Sequence, residues 1–533
     1  MLQSRSMSQP SLARVGSSSR RLSGMVSGKL LLLVTLFGSI AALYVLGRAC
    51  RSGRSSYHGF GGRGAAVDVS ELASLSPEDS VRRLRALGER AAKAHAGTIG
   101  MGTRNERVQL SPIDWSRVSA SCAAREPGRP RTLVTGAGGF IGAATARALR
   151  ARGDGVLGLD NFNDYYPNTL KRARALLGEA GGVHTVDGDV ADQELLGQLF
   201  DRCNFTHVVH LAAQAGVRYA TKNPLSYVHA NVEAWVALLE AARLRAPHPP
   251  AIAYASSSSV YGLNDHQPFS ELDRTDRPAS LYAATKKSDE EIAHAYWNVH
   301  GLSLTGLRFF TVYGPWGRPD MAAYSFSVSA VTGREIRVFQ GPNNSELSRD
   351  FTYIDDIVSG VVAAADALPP STWNPASLEA AKADRAARAK AAGAGLGRRH
   401  AGALSAQELA DAEAAAEAGA AAGPGPKPRP PIVYNLGNTS PHTVTELVDA
   451  LDAELPVKIK RKYVPVPATG DVLATFANVT AAQADLGYAP SVSLEEGTKR
   501  FVRWFKQYYG LEDEGKPIPT GAAAPADWSY RPL

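Results

Sequence analysis

The sequence predicts an α/β fold, in which a Rossmann-type, doubly wound parallel sheet is joined to a smaller C-terminal α/β substrate lobe. The first observation is a short apolar strand at 132–134 that runs directly into a glycine-rich turn and an Ala-rich helix. The second is that apolar runs of strand length alternate with helical segments from residue 132 onward, as in βαβ units. The third is that the run at 251–255 ends in four serines, at the edge where such sheets bind ligands.

Composition divides the 533 residues into several segments. The segment at 369–430 is mostly Ala, Gly, Arg, Lys and Glu, so it cannot bury a core and we expect disorder or a loose helix. We predict an N-terminal tail at 1–29, a membrane anchor at 30–47, a stem at 48–128, a Rossmann domain at 129–315, a substrate lobe at 316–368 and 431–510, an Ala-rich insert at 369–430 and a loose tail at 511–533.

Residues 30–47 form an uncharged apolar run that is long enough to cross a bilayer as one helix. A cleaved signal peptide, an organelle transit peptide and a buried core helix are the alternatives. Signal peptides usually have a shorter apolar stretch and a small-residue cleavage site. Arg48, Arg51 and Arg54 instead close this run, so we expect a single uncleaved transmembrane helix. Basic residues flank both ends, so the positive-inside bias is slight.

The net charge and the cysteines argue against a nucleic-acid-binding protein, a metal site and a disulfide framework. The charge of +7 does not form a basic stripe with aromatic residues, which argues against a nucleic-acid partner. Cys50, Cys122 and Cys203 have no metal-ligand spacing, so we predict no metal site. Their odd number argues against a disulfide framework, and we expect buried or free thiols.

The glycine-rich turn after the first strand has the pattern of a dinucleotide-binding loop. Gly136, Gly139 and Gly142 allow a tight turn, close approach of a pyrophosphate and close helix packing. The following helix N-terminus offers free N–H groups to phosphate. Asp160 ends the next strand, where a carboxylate accepts from the ribose hydroxyls and repels a 2′-phosphate, which predicts NAD as the cofactor. Asp189 could reach the adenine amino group, and the other residues predicted to contact NAD are Phe140, Ile141, Val190, Leu211, Ala212 and Ala213.

Tyr282 and Lys286 are four residues apart and therefore share one face of a helix. A lysine ammonium beside a phenol favours the phenolate, which can act as a base. A serine hydroxyl from the run at 256–259 could hold a substrate oxygen in line with the phenol. The pair alone occurs often by chance, and its alternative is a helix with one buried tyrosine and one solvated lysine.

These motifs occur in an order that resembles the extended short-chain dehydrogenase/reductase family, in its sugar-nucleotide branch. Longer strings are similar to those of the membrane-anchored UDP-glucuronate 4-epimerases of plant-type Golgi. The strings are LDNFNDYY, HLAAQAGVRYA, ASSSSVYGLN, SLYAATKK, LRFFTVYGPWGRPDMA, RDFTYIDDIV and NLGNTSP. The N-terminal anchor and stem fit that group, whereas the long Ala-rich insert departs from it.

The resemblance implies NAD-dependent epimerisation at C4 of UDP-glucuronate, which gives UDP-galacturonate through a transient 4-keto sugar. Tyr282 would take the proton of the 4-hydroxyl, NAD would accept the hydride, and Lys286 would assist the phenol and bind the nicotinamide ribose. Ser257, Ser258 and Ser259 would contact the sugar, with Ser257 as the family's hydrogen-bonding hydroxyl. We also expect a homodimer in the Golgi membrane, single-pass type II, with a lumenal catalytic domain.

An acidic sugar needs a cation in its site, and a guanidinium can bind a carboxylate through two hydrogen bonds. By the resemblance, Arg318 is the carboxylate-contacting arginine, and Arg218 is a second candidate. The remaining implied substrate contacts are Thr311 beside the carboxylate, Arg349 at the diphosphate, Phe339 and Gln340 at uracil, and Asp471 at a ribose.

The alternatives to an epimerase are a UDP-glucuronate decarboxylase, a 4,6-dehydratase and a non-catalytic nucleotide-binding protein. Related UDP-glucuronate decarboxylases and 4,6-dehydratases carry a carboxylate in the stretch that is four serines at 256–259 in this chain, which disfavours both. A non-catalytic nucleotide-binding protein would be expected to have lost Tyr282 or Lys286, and both are present.

Overall fold

Seven parallel strands form the central sheet in a computed structural model of the protein. The structure describes residues 75–96, 113–245, 247–393, 426–466 and 472–511, with five single positions between 407 and 423, all within the compact unit at Gly59–Leu533. The strands of the central sheet are β1 (Arg131–Thr135), β2 (Gly155–Asp160), β3 (His184–Asp187), β4 (His207–His210), β5 (Ala251–Ser257), β6 (Leu304–Phe309) and, later in the chain, β10 (Ile432–Leu436).

The strand order is β10-β6-β5-β4-β1-β2-β3, so the chain winds outward from β1 in both directions. Val134 on β1 lies opposite Gly158 on β2 and Val209 on β4. The point between β1 and β4 is therefore the topological switch point, where α/β sheets bind their ligands. The prediction of a doubly wound parallel sheet is confirmed.

Helices pack on both faces of this sheet. Leu133 belongs to one buried apolar cluster and Val134 to the other, because neighbouring strand residues point to opposite faces. The helices are α1 (Pro77–Ala96), α2 (Trp115–Cys122), α3 (Phe140–Ala151), α4 (Asn168–Ala180), α5 (Gln193–Cys203), α6 (Pro224–Tyr227), α7 (Ala234–Arg243), α8 (Leu281–His300), α9 (Ala322–Val331), α10 (Ile354–Asp366), α11 (Pro375–Gly393), α12 (Val444–Glu454), α13 (Thr480–Leu486) and α14 (Leu494–Tyr509), with a π-helical turn at Val228–Glu233 between α6 and α7.

Two helices from the segment predicted as a stem pack against the Rossmann layers. Leu84 and Leu87 of α1 are buried, and α1 approaches α4 so closely that a Cβ on Gly88 would lie 2.5 Å from the carbonyl oxygen of Thr169. On α2, Val118 is fully buried in the cluster on the other face. The packed part of the chain therefore extends N-terminal of Arg131.

Cys122 and Cys203 form a disulfide, which corrects the expectation of buried or free thiols. The two residues are 81 positions apart, and their Cα atoms lie 5.5 Å apart at the ends of α2 and α5. A count of three cysteines could not show this pairing, because it depends on how two distant helices meet. The disulfide ties α2 covalently to the Rossmann body.

The smaller lobe contains two small sheets. A three-stranded sheet has the order β11-β9-β7 and a two-stranded sheet pairs β12 with β8. Their strands are β7 (Thr311–Tyr313), β8 (Glu335–Gln340), β9 (Ser348–Tyr353), β11 (Pro441–Thr443) and β12 (Lys460–Pro465). Strand β10, from the segment assigned to this lobe, instead completes the Rossmann sheet beside β6.

Part of the Ala-rich insert is a docked helix. On α11, Leu378, Ala381 and Arg385 are buried, and Arg388 Nη1 lies 3.2 Å from Asp201 Oδ2 on α5. The predicted anchor at 30–47 lies outside the described residues. Among the helices that are described, none is long and apolar enough to span a bilayer.

Candidate active site

A cavity of about 1000 Å³ opens at the carboxyl ends of β1, β2, β4 and β5 and extends to the smaller lobe. Gln340 does not line it, and Asp471 lies outside the described residues. The other predicted site residues all line it: Gly136, Gly139, Phe140, Ile141, Gly142, Asp160, Asp189, Val190, Leu211, Ala212, Ala213, Arg218, Ser257, Ser258, Ser259, Tyr282, Lys286, Thr311, Arg318, Phe339 and Arg349.

The glycine turn has no room for side chains. Gly136 has φ +69°, and a Cβ there would lie 2.7 Å from the backbone nitrogen of Ala212. A Cβ on Gly142 would lie 2.1 Å from the carbonyl oxygen of Gly136. The turn therefore packs directly on the start of α3, whose first residues line the cavity, and a helix N-terminus in that position suits a phosphate.

Asp160 is held rigidly at the end of β2. Its Oδ2 accepts from the N–H of Gly138 at 2.9 Å, and its Oδ1 accepts from the N–H of Phe162 at 2.8 Å. Each carboxylate oxygen keeps a further lone pair for a ligand hydroxyl. The turn and this carboxylate together fit the pyrophosphate and ribose of a dinucleotide.

Asp189, predicted to reach the adenine, has neighbours that the motifs did not reveal. It accepts from Asn161 Nδ2 at 2.9 Å and from the N–H of Ala191 at 2.8 Å, and His229 Nε2 lies 3.2 Å away. Burial raises the pKa of Asp189, but the hydrogen bonds from His229, Asn161 and Ala191 outweigh it and lower the value to about 2. The hydrogen bond to Asp189 raises the pKa of His229 to about 9 against partial burial, with help from Glu233.

Lys286 is buried with its ammonium under the serine run. It is 1% exposed, and Nζ donates to the carbonyl oxygen of Ala255 at 2.8 Å and to Asp289 Oδ2 at 2.9 Å. Tyr282 lies one turn earlier on α8 and lines the same cavity. The alternative of a solvated lysine is therefore wrong.

The charge of Lys286 affects the pKa values of two buried neighbours, Asp289 and His210. Burial raises the pKa of Asp289 to about 6, although Lys286 opposes the shift. Burial and then the charge of Lys286 lower the pKa of His210 to about 3. His210 Nδ1 lies 2.8 Å from Thr135 Oγ1 and its ring stacks on Trp235, so this histidine is a neutral structural side chain at physiological pH.

One hydrogen bond, which caps a short 3₁₀ helix, shapes the serine run. Ser257 ends β5, and its hydroxyl accepts from the N–H of Ser259 at 3.2 Å, which begins the short 3₁₀ helix Ser258–Tyr261. Ser256 is 2% exposed and donates to Glu290 Oε1 at 2.7 Å, so its hydroxyl is already committed. The cap leaves Ser257, Ser258 and Ser259 on the cavity wall.

Comparisons with known proteins decide the family. Residues 132–375 match the model of the NAD dependent epimerase/dehydratase family. UDP-glucuronate 4-epimerase 1 of Arabidopsis thaliana is 48% identical over 421 residues, which are 79% of this chain and 87% of the relative. UDP-glucuronate 4-epimerase 3 of the same plant is 50% identical over 409 residues, 76% of this chain and 84% of the relative. This chain belongs to the UDP-glucuronate 4-epimerase family.

Solved structures agree with that membership. The UDP-glucuronic acid 4-epimerase of Bacillus cereus, in complex with UDP-glucuronic acid and NAD, is 26% identical and has a TM-score of 0.54, covering 71% of this chain and 99% of its own. MoeE5 in complex with UDP-glucose and NAD is 26% identical, with a TM-score of 0.51 and coverage of 70% of this chain and 98% of its own.

The two arginines predicted at the substrate carboxylate have different surroundings in this epimerase-family chain. Arg318 Nε donates to Asp320 Oδ1 at 3.0 Å, and Nη2 donates to Asp320 Oδ2. The guanidinium of Arg218 instead lies over the ring of Phe339, 4.7 Å from its centroid. Arg218 and Phe339 were predicted for opposite ends of the substrate, and the structure brings them together.

Several cavity residues were missed by motif reasoning. Asn161 and Tyr165 lie in the string LDNFNDYY, and Asp320 lies in LRFFTVYGPWGRPDMA, so both strings contained the residues without revealing their contacts. Arg349, which was predicted, donates from Nη1 to the carbonyl oxygen of Ser348 at 2.7 Å.

Proposed function

We propose that this chain converts UDP-glucuronate to UDP-galacturonate by NAD-dependent epimerisation at C4, through a transient 4-keto sugar. The observation that carries the proposal is the buried Lys286 ammonium, bound to the end of β5 in the same cavity as Tyr282, the serines and the glycine turn. The sequence strings that resemble UDP-glucuronate 4-epimerases and the family membership support the same reaction.

The chain's own residues would act on the sugar as follows. Tyr282, as phenolate, takes the proton of the 4-hydroxyl and returns a proton to the 4-oxygen after the sugar has turned. The buried ammonium of Lys286 lies one helical turn from Tyr282 and lines the same cavity. Ser257 and its neighbours hold the sugar oxygens in line with the phenol. Bound NAD supplies the hydride acceptor and donor, held by the glycine turn and Asp160.

The substrate would lie along the cavity from the sugar to the nucleotide. We place its carboxylate at Arg318 and Thr311. We place the nucleotide near Phe339 and Arg218, since these two contact each other, and the diphosphate at Arg349.

The decarboxylase alternative is not favoured. No carboxylate occurs at 256–259. Glu290, which contacts Ser256, is buried, and Arg308 Nε and Nη2 bind both of its oxygens at 2.9 Å. That carboxylate is therefore not free to act at the sugar.

Product analysis tests the proposal. The full-length protein, given UDP-glucuronate and no added cofactor, is expected to form UDP-galacturonate, and Tyr282→Phe is expected to lose activity by about 10²- to 10⁴-fold. A pentose nucleotide as product, or no turnover by protein that contains bound NAD, would overturn it.

We also propose a homodimer, anchored in the Golgi membrane by residues 30–47 as a single-pass type II protein with the catalytic part in the lumen. The disulfide between Cys122 and Cys203 supports the lumenal side, because disulfides persist in oxidising compartments. The exposed Leu225 and Val228 support a subunit interface, because clustered apolar side chains on a surface often mark one.

Protease treatment of sealed Golgi vesicles tests the orientation. The catalytic part should be protected until detergent is added, and a thiol count on denatured protein should find Cys122 and Cys203 oxidised. Cleavage in intact vesicles, with both thiols reduced, would place it on the cytoplasmic side. Light scattering of the detergent-solubilised protein should give the mass of two chains.

A further inference from the structure

The Arg318 side chain lines the cavity and is already paired with Asp320. Its Nε donates to Asp320 Oδ1 at 3.0 Å and its Nη2 donates to Asp320 Oδ2, so one edge of the guanidinium is used. The hydroxyl of Tyr165 also donates to Asp320 Oδ2, at 3.1 Å, and helps to fix the carboxylate. The Asp320 side chain is only 9% exposed.

One end of the guanidinium remains for a ligand. Arg318 Nη1 makes no hydrogen bond within the described part of the chain, and the Arg318 side chain keeps 21% exposure where it lines the cavity. Asp320 therefore does two things. It sets which end of Arg318 points at the substrate, and its negative charge offsets the positive charge that would attract a substrate carboxylate.

The second effect matters for an epimerase. Its sugar must present first one face and then the other, so the carboxylate cannot stay locked in one geometry. An unbalanced, partly buried guanidinium would hold a carboxylate strongly, because separating an ion pair that is shielded from water is costly. A carboxylate beside that guanidinium weakens the hold, because like charges at close range repel.

We propose that Asp320 is a positioning residue that orients Arg318 and moderates its charge, so that the carboxylate of a UDP-uronic acid is held loosely enough for the 4-keto sugar to turn. The inference rests on the proposed function, in which Arg318 binds that carboxylate. A contact that holds the substrate and the transition state equally well lowers KM without raising kcat. A loosely held carboxylate therefore favours turnover.

Asp320→Asn keeps the shape of the side chain and removes its charge, so it tests the inference. We expect KM for UDP-glucuronate to fall about threefold or more and kcat to fall about tenfold or more, because the sugar is held more tightly but turns more slowly. In a Tyr282→Phe background, calorimetry should show tighter binding of UDP-glucuronate and unchanged binding of UDP-glucose, which has no carboxylate. A merely structural role would instead raise KM and weaken the binding of both nucleotides.

The chain offers a matched control in Asp276→Asn. Asp276 also pairs with an arginine two residues earlier, Arg274, but both side chains are exposed and neither lines the cavity. This variant should leave KM and kcat unchanged. If the wild type is active and Asp320→Asn has an unchanged or raised KM, the role proposed for Asp320 is wrong and the proposed function stands. If the wild type shows no turnover, the proposed function itself is wrong.

Discussion

The cofactor half and the substrate half of the cavity are assembled in different ways. In the cofactor half, the contacts that hold Asp160 join residues that are close in sequence, such as Gly138 and Asp160, 22 positions apart. In the substrate half, the contact between Tyr165 and Asp320 joins residues that are 155 positions apart. A motif can specify the first kind of contact, whereas the second exists only after the two lobes have packed.

The largest expected effect lies in the cofactor half. In Gly142→Ala the new Cβ would lie 2.1 Å from the carbonyl oxygen of Gly136, and neither backbone can move without opening the turn. We expect the purified variant to contain little NAD and to lose activity by about 100-fold or more, since a displaced cofactor cannot react. The ratio of bound NAD to protein measures the effect directly.

Gly178→Ala is the matched control. Gly178 lies on α4, where a Cβ would meet only ordinary contacts, the nearest at 3.5 Å from the carbonyl oxygen of Val183. This variant should retain NAD and full activity. Normal NAD content in Gly142→Ala would show that the turn does not need the close packing seen in the structure.

A second prediction concerns Arg174, which joins the two halves. This side chain is 1% exposed and donates to the carbonyl oxygens of Gly138 at 3.2 Å, Trp316 at 2.9 Å and Gly317 at 2.9 Å, and to the hydroxyl of Tyr166 at 2.8 Å. Trp316 has φ +64°, an uncommon conformation for a bulky residue. Arg174 therefore holds a strained backbone next to Arg318 and fastens it to the glycine turn.

Arg174→Lys keeps the charge but replaces a fork of five donors by a single ammonium. We expect a loss of about 2–3 kcal/mol in the free energy of unfolding, because buried carbonyls lose charged hydrogen bonds. We also expect KM for UDP-glucuronate to rise by a larger factor than NAD content falls, since the loop of Arg318 loses hydrogen bonds at two carbonyl oxygens, those of Trp316 and Gly317, and the turn loses a bond at one. Arg274→Lys, at an 86% exposed arginine, is the control. Equal losses of NAD content and of affinity for UDP-glucuronate would show that the loop of Arg318 does not depend on Arg174 more than the glycine turn does.

The sequence predicted the local parts of this protein well. The parallel sheet followed from apolar runs, and the glycine turn, Asp160, Tyr282 and Lys286 lie in the cavity where their spacing placed them. Sequence spacing predicts these positions because the geometry of one helix or one turn brings such residues together, independently of how the rest of the chain packs.

The distant contacts could not be predicted in the same way. The sequence predicts buried or free thiols at Cys122 and Cys203, whereas the structure shows a disulfide. The position of Arg218, a second candidate for the carboxylate, over the ring of Phe339 is likewise not visible in the sequence. The pairing of Asp320 with Arg318 depends on side-chain rotamers that a string of letters does not contain. The disulfide and the contact between Arg218 and Phe339 are fixed by packing between elements that are far apart in the chain.

The smallest predicted effect is a pH dependence at the adenine end of the cofactor half. The pKa of His229 is raised from 6.5 to about 9 by Asp189, so the protonated pair stabilises the fold below pH 6.5 and this contribution disappears as the pH rises through about 9. His229 is 46% exposed, so the contribution is limited to about 0.2–1 kcal/mol by solvent screening.

Thermal unfolding of the wild type and His229→Gln at pH 6 and pH 10 measures this contribution. The wild type should be slightly more stable than the variant at pH 6, and the difference should vanish at pH 10. His266→Gln, at a more exposed histidine beside Asp273, removes a comparable pair away from the cavity and should leave NAD content unchanged at both pH values. A difference between wild type and His229→Gln that persists at pH 10 would mean that His229 stabilises the cofactor half by packing rather than by charge.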